Sequence, residues 1–401
     1  MSTSRPIVRS GVIAAIAASS LGLWLGAGEV PSVPATAHAA MSPTAPAALA
    51  ESTRISLHLK DTLLEDAVAA LGKAAGVKFS VADSVWDARG VAKSISLDVD
   101  DKPFWEVLLT LCDKSALTLA PRGMGTESAQ RIPLYPATQF GGARSTILQR
   151  PHMIHGPFLV TVDTINRVRN LAADKDGRDA VNLYMTGYCQ PGTRVGQMGQ
   201  LIVEEAVDEA GASLLPEASR VVSTFYSDTS PGSLNISGSL QVPVNAGRKI
   251  ARLKAKLPLI IISKVETLEI PDITTLAEPV HKTVGDCTFA VSPAKPGAQQ
   301  DTWELEMVIT RENMMGGRAP GFGVLQSSQL VDKDGNTWRG GSSSGGGSSQ
   351  KMTFKLSYYL QNSSGAMSDA KSRVPAKFVM EIPTQTREVS LPVEFKDLPL
   401  P

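Results

Sequence analysis

Aromatic side chains make up only 5% of this 401-residue chain, charged ones only 19%, and there are three cysteines. Each scarcity closes a functional class. Sugar platforms are built from exposed Trp or Tyr, yet Trp86, Trp105, Trp303 and Trp338 are scattered over separate segments. Lys and Arg together number 39, as do Asp and Glu, so the body lacks the positive excess that phosphate backbones and anionic headgroups attract. Nucleic acid and lipid surfaces are excluded as principal partners. Cys112, Cys189 and Cys287 show no metal-ligand spacing, and an odd count leaves at least one unpaired. Cys112 reads as a small packing residue on a helix, while Cys189 and Cys287 lie in strand-like runs that leave both a disulfide and two free thiols open.

Catalytic motifs are missing as well. No G-x-S-x-G elbow, H-E-x-x-H helix or P-loop occurs. Asp332-Lys333-Asp334-Gly335-Asn336 begins like a calcium loop, but its glycine comes two places early and Ser343 stands where a bidentate glutamate is needed. It reads better as a hairpin tip. His152 and His155 could share a metal only on a helix, which Pro151 and Gly156-Pro157 disfavour. His281 and Cys287 on one strand would lie roughly 20 Å apart, too far for an activated thiol. Glu204-Glu205 and Asp208-Glu209 could supply paired carboxylates for a hydrolase, although solvated turn or edge charges explain them better. No catalytic residue, metal ligand or cofactor is assigned.

What the chain has in quantity is glycine, 34, and proline, 26, the residues of turns. It also has a leader-like start: Arg5 and Arg9, an apolar stretch from Gly11 to Gly28, and small residues ending at Ala37-His38-Ala39. That order predicts a secretory signal peptide over 1–39, with an uncleaved anchor as the alternative, and hence a periplasmic or otherwise extracytoplasmic location. Without those residues the body holds 37 basic and 38 acidic groups. Residues 40–53, rich in Ala and Pro, read as a disordered tether.

Beyond the tether, ISLHLKDTLLEDAVAALGKAAGVKFSV at 55–81 is repeated as ISLDVDDKPFWEVLLTLCDKSALTLAP at 95–121, offset by 40 positions without a gap. Fixed-period self-similarity implies duplicated structure. Leu64, Ala67, Val68 and Leu71 form a helical stripe that Phe104, Val107, Leu108 and Leu111 reproduce. Asp61 or Thr62 with Glu65 suggests a capping box, Pro103 an equivalent start, and Gly76 a stop. Alternating β-branched flanks complete two βαβ units, predicted to share one sheet. The copies agree at core and cap positions and differ at Glu65 against Trp105 and at His58 against Asp98. Those four residues are the candidate partner-contact positions. Trp105 either marks that face or packs under the Val85-Trp86 loop.

The run I-x-L-x-L-K-D-x-x-L-x-x-A-V-x-x-L-x-x-x-A-G-V-x-F, followed by S-I-S-L-D-V-D-D-K-P-F-W-E-V-L, resembles the short N-terminal domain of secretins and TonB-dependent receptors. The resemblance covers 54–137. It implies a periplasmic βαβ-βαβ unit that contacts other envelope proteins. Downstream, no dense series of ten-residue amphipathic segments suits an outer-membrane barrel, so it does not extend to a pore. The whole chain resembles exported bacterial proteins of unknown function that join such a domain to a β-rich region.

After a linker at 138–150, short alternating runs separated by turn formers predict one antiparallel β-sandwich over 151–278 and a second, immunoglobulin-like, over 279–401. Asp334-Gly335 signals a hairpin, and the Gly/Ser run 340–349 reads as a flexible loop. The expected fold class is therefore α+β, a βαβ repeat module followed by two β-sandwiches. The expected function is that of an exported, non-enzymatic binding or scaffold protein whose repeat contacts another envelope protein. A hydrolase or carbohydrate-processing site on the β-rich region is the alternative.

Overall fold

A computed structural model of the chain describes residues 49–81, 83–86, 88, 90–119, 131–138, 147–169, 179–215, 232–243, 246–298, 302–311, 327–348, 350–360 and 373–401. The predicted leader at 1–39, most of the tether and the predicted strand at 220–226 lie outside them. The repeat region runs β1 (Arg54–Leu63), α1 (Leu64–Ala75), β2 (Lys78–Val81), the single-turn α2 (Asp83–Trp86), β3 (Ser94–Pro103), α3 (Phe104–Ser115), β4 (Leu117–Leu119) and β5 (Arg131–Pro136). A first β unit follows, with β6 (His152–His155), β7 (Phe158–Val168), β8 (Asp179–Cys189), β9 (Arg194–Met198), β10 (Ile202–Asp208), β11 (Ser233–Val242) and the long β12 (Lys249–Pro271). The second holds β13 (Val280–Val284), β14 (Cys287–Val291), β15 (Lys295–Pro296), β16 (Thr302–Arg311), β17 (Ser328–Val331), β18 (Thr337–Gly347), β19 (Lys351–Leu360) and the equally long β20 (Lys377–Pro399).

The expected α+β class is overturned: 64% of the described residues are strand and 11% helical, so the protein is mainly β with sandwich-like sheets. Within the repeat region the strands beside each helix do not join as βαβ units. A βαβ unit needs two parallel strands of one sheet around its helix. Instead β1 pairs antiparallel with β3, while β2 lies in another sheet, parallel to β5, which also pairs antiparallel with β4. Each inner face is apolar, with Ile55 and with Ile95 and Leu97 buried, and each outer face polar, so the two ten-residue copies suit one another as a two-stranded ribbon.

The helices bury the expected stripes. Their capping differs from expectation. Neither N-terminus has a side-chain cap; Leu64 N–H donates to Lys93 O at 3.0 Å and Phe104 N–H to Thr53 O at 2.9 Å, so each copy of the repeat caps the other's helix through backbone carbonyls at equivalent places. Asp61, expected near the cap, sits at φ 47° in a bulge of the ribbon, as does Asp101. Gly76 ends α1 with φ 66°, while Ala116 closes α3 with φ 56°.

In the β region, β11, β8, β7 and β6 form a four-stranded antiparallel sheet. An eleven-stranded sheet runs β10-β12-β20-β17-β18-β19-β16-β14-β13, with β9 beside β12 and β15 beside β16. Two cores result. One joins Phe158, Val181, Leu183 and Leu253 to Val389, Leu391, Val393 and Phe395 from β20; the other joins Phe289, Leu305, Met307 and Phe378 to Leu268 and Ile270 from β12. The last strand of the chain thus completes the core of residues 158–261.

Two local expectations change. The Gly/Ser run is not a loop: Gly340–Gly347 belongs to β18 and pairs with β19, exposed throughout. The Asp334-Gly335 hairpin turns through five residues, Asp332–Asn336. The Asp332 carboxylate accepts from Asp334 N–H (2.9 Å), Asn336 N–H (2.8 Å) and Asn336 Nδ2 (2.8 Å), so its oxygens are committed to the loop itself.

All three cysteines are buried and free, Cys189 and Cys287 in different cores, so no disulfide links them. Burial pushes the Cys112 and Cys189 thiols up to about 12 and Cys287 up to about 11. The thiolate is the reactive form. At pH 8 the native protein is expected to leave all three unlabelled by a soluble thiol reagent, and denaturant to release all three; labelling without denaturant would show that the cores open.

Candidate partner-contact site

The 40-residue offset of the repeat fixes the geometry of the candidate site. In the β1–β3 ribbon Leu57 pairs with Val99, His58 with Asp98 and Leu59 with Leu97, so repeat-equivalent residues are arranged about a local two-fold axis through His58 and Asp98. The flanking contacts obey the same symmetry. Ser96 Oγ accepts from Asp61 N–H at 2.9 Å and Ser56 Oγ from Asp101 N–H at 3.0 Å. Each serine holds the opposite strand's bulge, where the aspartate adopts its left-handed conformation.

His58 and Asp98 are thereby brought together on the outer face. His58 Nδ1 lies 2.6 Å from Asp98 Oδ1, and Nε2 lies 3.3 Å from Asp100 Oδ1. The hydrogen bond to Asp98, then the Asp100 charge, raise the imidazole pKa above its usual 6.5. All three side chains are exposed. Strand alternation puts Ser56, Lys60 and Ser96 on the same face, giving a polar surface with charges of both signs. The bulged ends bear Asp61 and Asp101, a pattern that blunts strand edges against indiscriminate pairing. Glu65 is exposed on the first turn of α1.

Trp105 lies elsewhere. It is 1% exposed, and its Nε1–H donates to Pro157 O at 3.0 Å, across 52 residues of sequence. The ring meets Phe104 edge-on at 5.0 Å and Tyr188 at 6.3 Å. Trp105 therefore faces the chain's own first β unit. Leu159, Ile154 and Tyr188 belong to the same apolar cluster as both helices of the repeat.

The joint is reinforced by polar groups. Pro157 O also accepts from Gln190 N–H at 2.8 Å. The buried Gln190 side chain receives Ser52 Oγ at 3.1 Å and Thr53 N–H at 3.2 Å on Oε1, and donates through Nε2 to Thr53 Oγ1. Thr53 O in turn caps α3. Below lies Asp163, which accepts from Thr186 Oγ1 (2.6 Å), Thr161 Oγ1 (3.1 Å) and Arg150 Nη1 (3.4 Å). Burial raises the Tyr188 phenol well above its ordinary 10. Gln190, Pro157 and Tyr188 are not among the sequence candidates, because Gln190-Pro191-Gly192 has the composition of a turn and nothing local marks a docking residue.

The remaining candidates are accounted for by their neighbours. Glu204 pairs with Lys256 at 2.5 Å, Glu205 with Arg252, and Glu209 Oε1 accepts from Arg248 N–H at 2.9 Å. Asp208 accepts from Gly247, Ala212 and Ala210 amides, which hold its pKa below the usual carboxylate value. His152 Nδ1 lies 2.9 Å from Arg150 O. Among the described residues no three of His, Cys, Asp and Glu gather as metal ligands, and no helix is long and apolar enough to cross a membrane. Comparison with protein-family models, curated proteins and solved structures finds no match to this chain.

Two outcomes follow from the geometry. The raised His58 pKa means that its pairing contributes stability below pH 6.5 and loses it as pH rises through the folded value. Imidazole proton shifts should titrate above 6.5 in the native protein and move down in Asp98→Asn. Trp105→Ala is expected to cost about 3–5 kcal/mol, read by denaturant unfolding. A near-neutral result would remove Trp105 from the joint.

Proposed function

We propose that this chain is an exported, non-enzymatic binding or scaffold protein of the cell envelope, whose duplicated module contacts another envelope protein through the outer face of the β1–β3 ribbon. One observation supports the reading above others: the repeat presents an exposed polar ribbon on one side while Trp105 fastens its other side to the first β unit. A module held so is oriented before it meets a partner, which lowers the entropy lost on binding. The ribbon's mixture of Lys60, His58, Asp98 and Asp100 favours a polar protein surface of complementary charge. The leader-like composition of 1–39 and the resemblance of 54–137 to secretin-type domains support the envelope as the location.

Photo-crosslinking in intact cells tests it, with a crosslinking residue placed at Lys60 in the full chain and another at Tyr359, an exposed position of the second β unit. The reading expects a discrete envelope-protein adduct from Lys60 that is lost when Asp98 and Asp100 are replaced by Lys. Adducts of equal yield from both positions, or none from Lys60, would sink it.

A further inference from the structure

The two β units match one another in detail that their overall sequences do not announce. Asp208–Ala212 and Asp332–Asn336 are the same loop. In each, the aspartate carboxylate accepts from the amides two and four places on, at 2.9 and 2.8 Å in both cases. Asp208 N–H donates to Ala212 O and Asp332 N–H to Asn336 O, both at 3.0 Å, and the glycine three places on has φ 82° in one loop and 85° in the other. Hairpins β6–β7 and β13–β14 both turn at a glycine of positive φ, Gly156 and Gly285.

Strand neighbours agree too. The order β6-β7-β8-β11 in one unit is β13-β14-β16-β19 in the other. Val181, Leu183 and Met185 fill the first core as Leu305 and Met307, with Trp303 packed against them, fill the second. β10 pairs with the start of β12 as β17 pairs with the start of β20: Ala206 faces Leu253, and Leu330 faces Phe378. The long strands end alike, Leu268-Glu269-Ile270-Pro271-Asp272-Ile273 against Val393-Glu394-Phe395-Lys396-Asp397-Leu398. Both aspartates sit at φ 53°.

What is exchanged is where those ends go. Leu253 of the first unit pairs with Phe395 of the second, and Phe378 of the second with Ile270 of the first; Ala255 with Val393 mirrors Met380 with Leu268. We infer that the β region is one domain duplicated in tandem, whose copies have traded the second halves of their last strands, so that each core is closed only by the other copy. The exchange is an interlock. Neither unit can release its neighbour without giving up an inner wall of its own core.

The copies have diverged on one outer face, in a way that fixes where the repeat module sits. The first offers Leu159 and Tyr188, buried in the module's apolar cluster, with the partly buried Ile154 packed against it, the three adjacent across β6, β7 and β8. The second has Thr283, Thr288 and Thr310 at the matching places, with Thr283 and Thr288 hydroxyls 3.1 Å apart. A threonine face is at home in water.

The test exchanges the two matching hexapeptides in the full chain, writing 393–398 as LEIPDI and 268–273 as VEFKDL, beside a control in which both are scrambled. The exchanged protein is expected to keep its near-UV circular dichroism and to melt within about 10 °C of the parent, while the scrambled one loses the transition. If the exchanged chain is as disrupted as the control, the segments are not equivalent and the inference fails. Hydrogen exchange in rising denaturant on the unmodified protein tests the interlock separately. Amides of β8 and β16 should open together, and loss of protection in one strand at concentrations where the other stays closed would overturn it.

Discussion

The antiparallel ladder between β12 and β20 is the constraint on which the β region depends. It runs from the Lys249–Pro399 pair to the Pro271–Lys377 pair, about 75 Å at the rise of an extended chain. Each core takes a wall from both strands. Prolines, which cannot donate to a ladder, are placed where a third strand is interrupted: Pro258 falls between the end of β10 pairing at Lys256 and the start of β9 pairing at Leu259, and its carbonyl accepts from Gly199 N–H at 2.7 Å. A bulge near Ile262–Val265 marks the passage from one core to the other. Charge pairs bracket the ladder, Lys249 with Asp397 at one end and Lys377 with Glu269 near the other, both at exposed positions where their contribution is small.

The joint between repeat and first β unit works by different physics. Its centre is aromatic and apolar, with Trp105, Tyr188 and Leu159, and its rim is a set of hydrogen bonds through Pro157, Gln190 and Thr53. The Trp105 indole N–H, the Pro157 carbonyl and the Gln190 side chain each find a partner in that joint, which is the condition for burying such groups without loss. Orientation of the module thus rests on a few directed bonds, and its adhesion on area.

Periodicity made the helical stripes legible, because Leu64, Val68 and Leu71 must share a face wherever the helix lies. It could not say which strand would lie beside which. Two ten-residue strands with the same alternation can sit in one parallel sheet or face each other as a ribbon, and only register decides. The aligned repeat did single out positions 58 and 98, and the structure brings them to 2.6 Å, since an offset of 40 combined with antiparallel pairing puts them on the axis. Trp105 was legible as an oddity and not as a docking group, because the partners it docks against, Pro157 and Tyr188, are 52 and more residues away. The Gly/Ser run departs from the loop expectation for a chemical reason: glycine and serine signal loops by entropy, yet β19 pairs with Gly340 and with Ser342–Gly347, the ladder shifting register at Gly341, and holds the run extended. The duplication of the β domain is hard to read in the sequence because the matching residues are few and scattered, Asp208 and Gly211 with Asp332 and Gly335 in the loops, Leu183 and Met185 with Leu305 and Met307 in the cores.

The axis through His58 and Asp98 has a consequence for how such a repeat can evolve. Immediately after a duplication, the residue on the axis faces its own twin. A pair of aspartates there would repel at hydrogen-bonding range, and a pair of histidines would do so once protonated. The His58–Asp98 contact sets opposite charges where strict two-fold symmetry would set like ones, so at this point the two halves of the ribbon are not interchangeable.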